Sequence, residues 1–223
     1  MPTLLRIGLP AAMMLTLVLS LAYWWLDNLA HELFGTALFV LLIWHLVVNR
    51  RWFINLRHGS YDVIRVATVG LHFALILNMI LLLLTSVVIS KSVFASLPLP
   101  DSIYLRDVHW FAAYWVMVIA GIHVGLHWSR VLLLTRISSP SRLRTLLLRG
   151  LAACVAAFGL WSWNILGVSG KLTFTYSLDF WDFTSSVAPF FGHWIGVVGL
   201  AAVVTYYMLQ VWRSRRRHAV LQR

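Results

Sequence analysis

Residues 29–53 read LAHELFGTALFVLLIWHLVVNRRWF. The first twenty are almost wholly apolar or small, and the run stops at Asn49-Arg50-Arg51. A bilayer core about 30 Å thick takes roughly 20 residues of α-helix to cross. The apolar character is continuous rather than alternating, so a helix is expected and a barrel strand is not. The same reading along the chain places spans near 7–26, 29–48, 66–89, 107–129, 149–168 and 192–212. The expectation is an all-α, polytopic membrane bundle of six transmembrane helices, forming one membrane domain over 1–223.

Composition agrees. Of 223 residues, 61% are hydrophobic and 11% charged, whereas a soluble domain carries about 25% charged residues. So few charges cannot build a water-facing shell. A soluble globule, a disordered chain and a coiled coil are thereby excluded. The net charge of +11 would suggest nucleic acid in a soluble protein. Here the basic residues sit between apolar runs, so no nucleic-acid partner is expected. With six spans, 15 of the 18 basic residues fall on one side, in the loops after the second, fourth and sixth helices and at Arg6. Positive loops stay cytoplasmic, so both termini are expected inside. The first apolar run ends in Tyr23-Trp24-Trp25 without a small-residue cleavage pattern, and reads as a retained helix with its tryptophans in the outer interfacial belt. The loop 169–191 is expected to pack through Phe180-Trp181-Asp182-Phe183. Cys154 is the only cysteine. With no C-x-x-C-H, covalent haem attachment and cysteine-held clusters are excluded.

Nine histidines are many for such a chain, and ionisable residues within a membrane are functional candidates. His31 and His45 are 14 residues apart, and so are His109 and His123. Fourteen residues make nearly four helical turns, so each pair shares a face to within roughly 40° and spans about 21 Å. In the six-span topology both helices run from outside to inside. His31 and His109 are then level near the outer face, and His45 and His123 near the inner face. Facing helices would create two bis-imidazole sites. These suit the iron of two non-covalent b-type haems, with His31, His45, His109 and His123 as metal ligands. Short side chains would let a flat macrocycle approach: Gly35 on one helix, Ala112, Ala113, Val116 and Ala120 on the other. A lone histidine in a span is more simply a hydrogen-bonding residue; it is the repeated spacing that points to ligation.

Two stretches, HELFGTALFVLLIWHLVVNRRWF (31–53) and HWFAAYWVMVIAGIHVGLHW (109–128), resemble the haem helices of bacterial flavinylation-associated cytochromes. YSLDFWDF (176–183) and FFGHWIGVVGL (190–200) resemble that family's last outer loop and helix. The paired histidines also resemble those of the cytochrome b subunit of quinol-oxidising bc-type complexes. The resemblance implies ligation by His31, His45, His109 and His123. It also implies electron transfer in a bacterial inner membrane with an extracytoplasmic flavin-bearing partner. This chain holds no soluble flavin domain, so that partner would be a separate polypeptide.

Several residues remain open at this point. His127 follows His123 by four residues and can replace it as inner ligand, or bond a propionate or a quinone. His72 and His193 can line a quinone pocket or a haem edge, although packed histidines are the simpler reading. Arg106 is placed for propionates of the outer haem, and Arg50, Arg51 and Arg130 for the inner one; each also serves as an orientation signal. Glu32 and Asp107 stand beside outer histidines, where an acid favours a helix start or accepts a proton from a quinol. Asn78 is expected to join helices. His58 also precedes His72 by 14 residues, but the polar stretch 57–62 separates them. The leading expectation is an electron carrier rather than an autonomous enzyme. The alternatives are a histidine-relay proton or metal transporter and a membrane anchor subunit.

Overall fold

The computed structural model describes residues 3–97, 99–100, 102–134, 141–175 and 181–221. Arg136 and the first part of the YSLDFWDF motif, residues 176–180, lie outside them. The described chain is helical throughout: α1 (Thr3–Leu19), a 3-10 turn (Ser20–Ala22), α2 (Tyr23–Val48), α3 (Arg51–Asn55), α4 (Val63–Ile89), α5 (Ile103–Leu134), α6 (Arg142–Ile165), α7 (Val168–Leu172) and α8 (Val187–Leu221).

Five stretches are long and apolar enough to cross a bilayer: Ile7–Val48, Val63–Ile89, Ile103–Leu134, Arg142–Ile165 and Val187–Arg216. Their outward residues are large and apolar, with Leu77 65%, Ile43 62% and Leu84 60% exposed. Such surface is stable only against lipid. The protein is an all-α, polytopic, membrane-spanning helical bundle.

The first of the five stretches, 42 residues long, is not a straight rod. Its helix breaks at the 3-10 turn and again at Asp27, where φ is 63° and ψ 179°. That backbone region is nearly reserved for glycine, and an aspartate there carries strain of about 1–3 kcal/mol. The break reverses the chain. The His31 ring lies 2.6 Å from the Ser20 carbonyl, although 11 residues of continuous helix would separate them by about 16 Å. α1 therefore packs back on α2.

The chain divides into two compact units: Met1–Ala113 with Trp181–Val187, and Tyr114–Phe180 with Ala188–Arg223. In the first, Asn78 of α4 donates to the Ala112 carbonyl of α5 at 2.9 Å, the helix-joining role expected from sequence. α3 was not anticipated. It lays Trp52 edge-on against His72 of α4. Asp62 caps α4 by accepting from the Arg65 backbone N–H at 2.9 Å. The Arg65 guanidinium then ties the Asn55, His58 and Ser60 carbonyls into a folded loop. Gly59, with φ 84°, breaks any helix between His58 and His72, so that 14-residue match has no structural meaning.

The second unit is held by close helix crossings. A Cβ on Gly121 of α5 would lie 2.6 Å from the Val198 carbonyl of α8, and Gly125 is equally close to the Ala202 carbonyl. On the other side, Gly159 of α6 presses on the Gly196 carbonyl of α8. Lipid gives helices no hydrophobic reason to associate, so backbone approach through small residues does the packing. Ser162, Val168, Trp194 and Val197 are buried in this unit. Gly167, with φ 58°, ends α6 and lets the chain turn into α7. Overpacking should discriminate between glycines of α6. Gly159→Leu is expected to cost about 1–3 kcal/mol and lower the thermal midpoint in detergent. Gly150→Leu, where nothing lies within 4 Å, is expected to leave the midpoint unchanged.

Candidate metal centre

His31 sits in the first turn of α2 beyond the Asp27 break. A helix end leaves its last carbonyls without intrahelical donors, and the Ser20 carbonyl accepts from the His31 ring at Nδ1, 2.6 Å away. A carbonyl can only accept, so the ring proton is on Nδ1 and Nε2 keeps its lone pair. His109 of α5 presents Nδ1 to the Thr85 hydroxyl of α4 at 3.0 Å.

The two rings meet edge to face. Their centroids are 6.1 Å apart and their planes 77° apart. A metal ion about 2.0–2.1 Å from one ring nitrogen on either side separates two imidazole centroids by about 6 Å. The separation and the engaged Nδ1 atoms therefore suit ligation by both Nε2 atoms. Metal-bound imidazoles characteristically donate their other N–H to the protein.

Glu32 has a structural role. Its carboxylate accepts from the Asn28 side chain at 2.6 Å, the Ser90 hydroxyl at 2.7 Å and the backbone N–H groups of Lys91, Ser92 and Val93 at 2.8, 3.2 and 2.6 Å. It clamps α2 to the segment that follows α4, and so holds His31 beside the helix that carries Thr85. Asp107, the fifth residue of α5, is exposed and lies past the helix start, so it caps nothing.

An aromatic cover adjoins the pair. Tyr23 meets the His31 ring edge-on at 5.7 Å. Trp24 lies 4.5 Å from Phe183 and 5.9 Å from Trp110. The Trp25 indole donates to the Phe183 carbonyl at 2.6 Å. The described end of the 169–191 loop thus packs on the tryptophans, as its aromatic sequence suggests.

Gly35 has nothing within 4 Å of a would-be Cβ, leaving open space on the face of α2 one turn below His31. Ala112 is fully buried, and its backbone carbonyl accepts from Asn78. Arg106 is half-buried on α5, while Arg50 and Arg130 are exposed.

The remaining histidines also cluster. In the first unit His45, in the last turn of α2, interacts electrostatically with His72 of α4. Its buried Nδ1 has no hydrogen-bond partner. In the second unit His123 and His127 lie on successive turns of α5 with ring centroids 4.8 Å apart. His193 of α8 is buried, stacked on Phe158 at 9° and bonded through Nδ1 to the Ser162 hydroxyl of α6 at 2.9 Å. That is the packed, hydrogen-bonded histidine the simpler reading anticipates.

The protein is thus a membrane helical protein with clustered histidines able to bind a metal ion. No protein-family model, curated protein or solved structure matches the chain. Sequence reasoning missed Thr85, the Ser20 carbonyl and the packing of Trp52 on His72. Thr85 carries a weak signal, as one of two adjacent hydroxyl residues, with Ser86, in the apolar run LLLLTSVVI.

The 182–185 turn beside the cover is expected to respond to acid. The Ser185 hydroxyl and the backbone N–H groups of Thr184 and Ser185 hold the Asp182 carboxyl below its ordinary value. A lowered folded-state pKa contributes stability above the unfolded value, which is lost as pH falls through the folded one. Lowering the pH below the ordinary carboxylate range should loosen the 182–185 turn. Tryptophan fluorescence should report this, and Asp182→Asn should abolish that acid transition.

Proposed function

We propose that the chain is a di-haem b-type cytochrome of a bacterial inner membrane. In this reading six spans place both termini in the cytoplasm. Electrons pass between a quinone and an extracytoplasmic redox protein, with a separate flavin-bearing polypeptide as the proposed partner. The observation that carries the reading is the His31–His109 pair: rings 6.1 Å apart, each with Nδ1 engaged by the protein.

Haem b would supply one-electron chemistry when bound. The chain's own residues supply everything around it. Ser20 and Thr85 orient the two rings, the Glu32 clamp fixes α2, and Tyr23 packs edge-on against His31. The open face beside Gly35 leaves room for a macrocycle. His45 is proposed as a ligand of a second site. His123 is the proposed inner partner of His45, with His127 as its alternative. Arg106 is proposed for the outer propionates, and Arg50 and Arg130 for the inner ones.

A second reading, a histidine relay moving protons or a metal ion, has its own observation. His72, which interacts electrostatically with His45, and His127, beside His123, are more imidazoles than two axial pairs employ. Crowded histidines of this kind fit a relay at least as well.

One preparation separates the readings. Protein purified from iron-replete cells should give a reduced-minus-oxidised spectrum of low-spin haem at two haems per chain. His31→Ala and His109→Ala should each remove the same spectral component, and His45→Ala the other. A colourless preparation that moves protons or divalent metal in vesicles would establish the relay instead.

A further inference from the structure

We infer that Thr85 is a positioning residue that fixes the protonation geometry of His109 and sets its strength as a ligand. The inference rests on the proposed haem reading for its consequence, but not for its geometry. Thr85 is nine-tenths buried within α4, with 3% exposure. Its single hydroxyl proton has backbone acceptors of its own, the Leu81 carbonyl at 2.8 Å and the Leu82 carbonyl at 3.1 Å. With the proton directed there, the hydroxyl oxygen presents a lone pair to His109 Nδ1 at 3.0 Å. The ring must then donate from Nδ1, and Nε2, the nitrogen available to a metal, is left unprotonated. A hydroxyl that is itself donating is polarised and becomes a better acceptor.

The two rings are therefore held by unequal partners. His31 donates to a backbone carbonyl at 2.6 Å, an acceptor that no side-chain substitution can remove. His109 donates to a side-chain hydroxyl at the longer distance of 3.0 Å. A hydrogen bond drawing on the Nδ1 proton makes an imidazole more electron-rich and favours the oxidised metal. Thr85 is thus the replaceable half of the support, and the place where the chain tunes this site separately from any other.

The test uses the full chain with Thr85→Val, which keeps the branched shape, and Thr85→Ser, which keeps the hydroxyl. Redox titration of the purified protein should show one haem component of Thr85→Val shifted to higher potential, with the other unmoved. Thr85→Ser should restore it. Equal potentials in all three proteins would overturn the inference. Nitrogen NMR of histidine-labelled protein stripped of haem supplies an independent arm. His109 should hold its proton on Nδ1 in the natural chain and lose that preference in Thr85→Val. A proton on Nε2 in the natural chain would overturn the inference even if no haem binds. Absence of haem together with the Nδ1 tautomer would refute the cytochrome reading and leave the Thr85 assignment standing.

Discussion

The hydrogen bond from the His31 ring to the Ser20 carbonyl satisfies two needs at once. A helix that ends within or near lipid exposes carbonyls that water cannot reach, and each unsatisfied group is costly there. An imidazole in the same setting needs a partner for its N–H. The chain reversal at Ser20–Ala22 and Asp27 brings the two together. The strain at Asp27 is tolerable because the reversal creates that bond and packs α1 on α2. From this follows the position of His31, and from that its approach to His109.

The same economy of polar groups recurs elsewhere. Asn78, Thr85 and Ser162 are polar residues in apolar helices, and each is bonded to a backbone carbonyl. Thr85 and Ser162 go further and also meet a histidine Nδ1. In each unit, then, a back-bonded hydroxyl orients a ring. The glycines of α5 and α6 do the complementary work in the second unit, because α8 can approach them only where no Cβ intervenes. Polar satisfaction fixes rotation about the helix axis, and small residues fix distance.

What could be read from the chain was what depends on period and composition. The apolar runs at 66–89 and 107–129 correspond to α4 and α5, whose ends were displaced by only a few residues. The approach of His31 to His109 was anticipated from the matching 14-residue spacings, which set both histidines at corresponding ends of their helices. The break in the first apolar stretch was harder. No glycine or proline marks Asp27, and only the tertiary contact of His31 with Ser20 explains it. α3 and α7, five residues each, are too short to show a period. The support at Thr85 was illegible for another reason. It joins residues 24 apart in sequence on different helices, and nothing local encodes that meeting.

Glu32 shows how an adjacent position can mislead. An acid beside a candidate ligand suggests proton exchange, and sequence offers no means of choosing between that and structure. Five donors converge on this carboxylate, three of them backbone N–H groups of Lys91, Ser92 and Val93. To take up a proton it would have to surrender charge-assisted bonds that join α2 to the end of α4. The segment 90–93 would lose its anchor to α2. The charge is therefore best used unprotonated, as a fixed tie. Proton chemistry in this part of the molecule is left to groups that can change charge without undoing the fold.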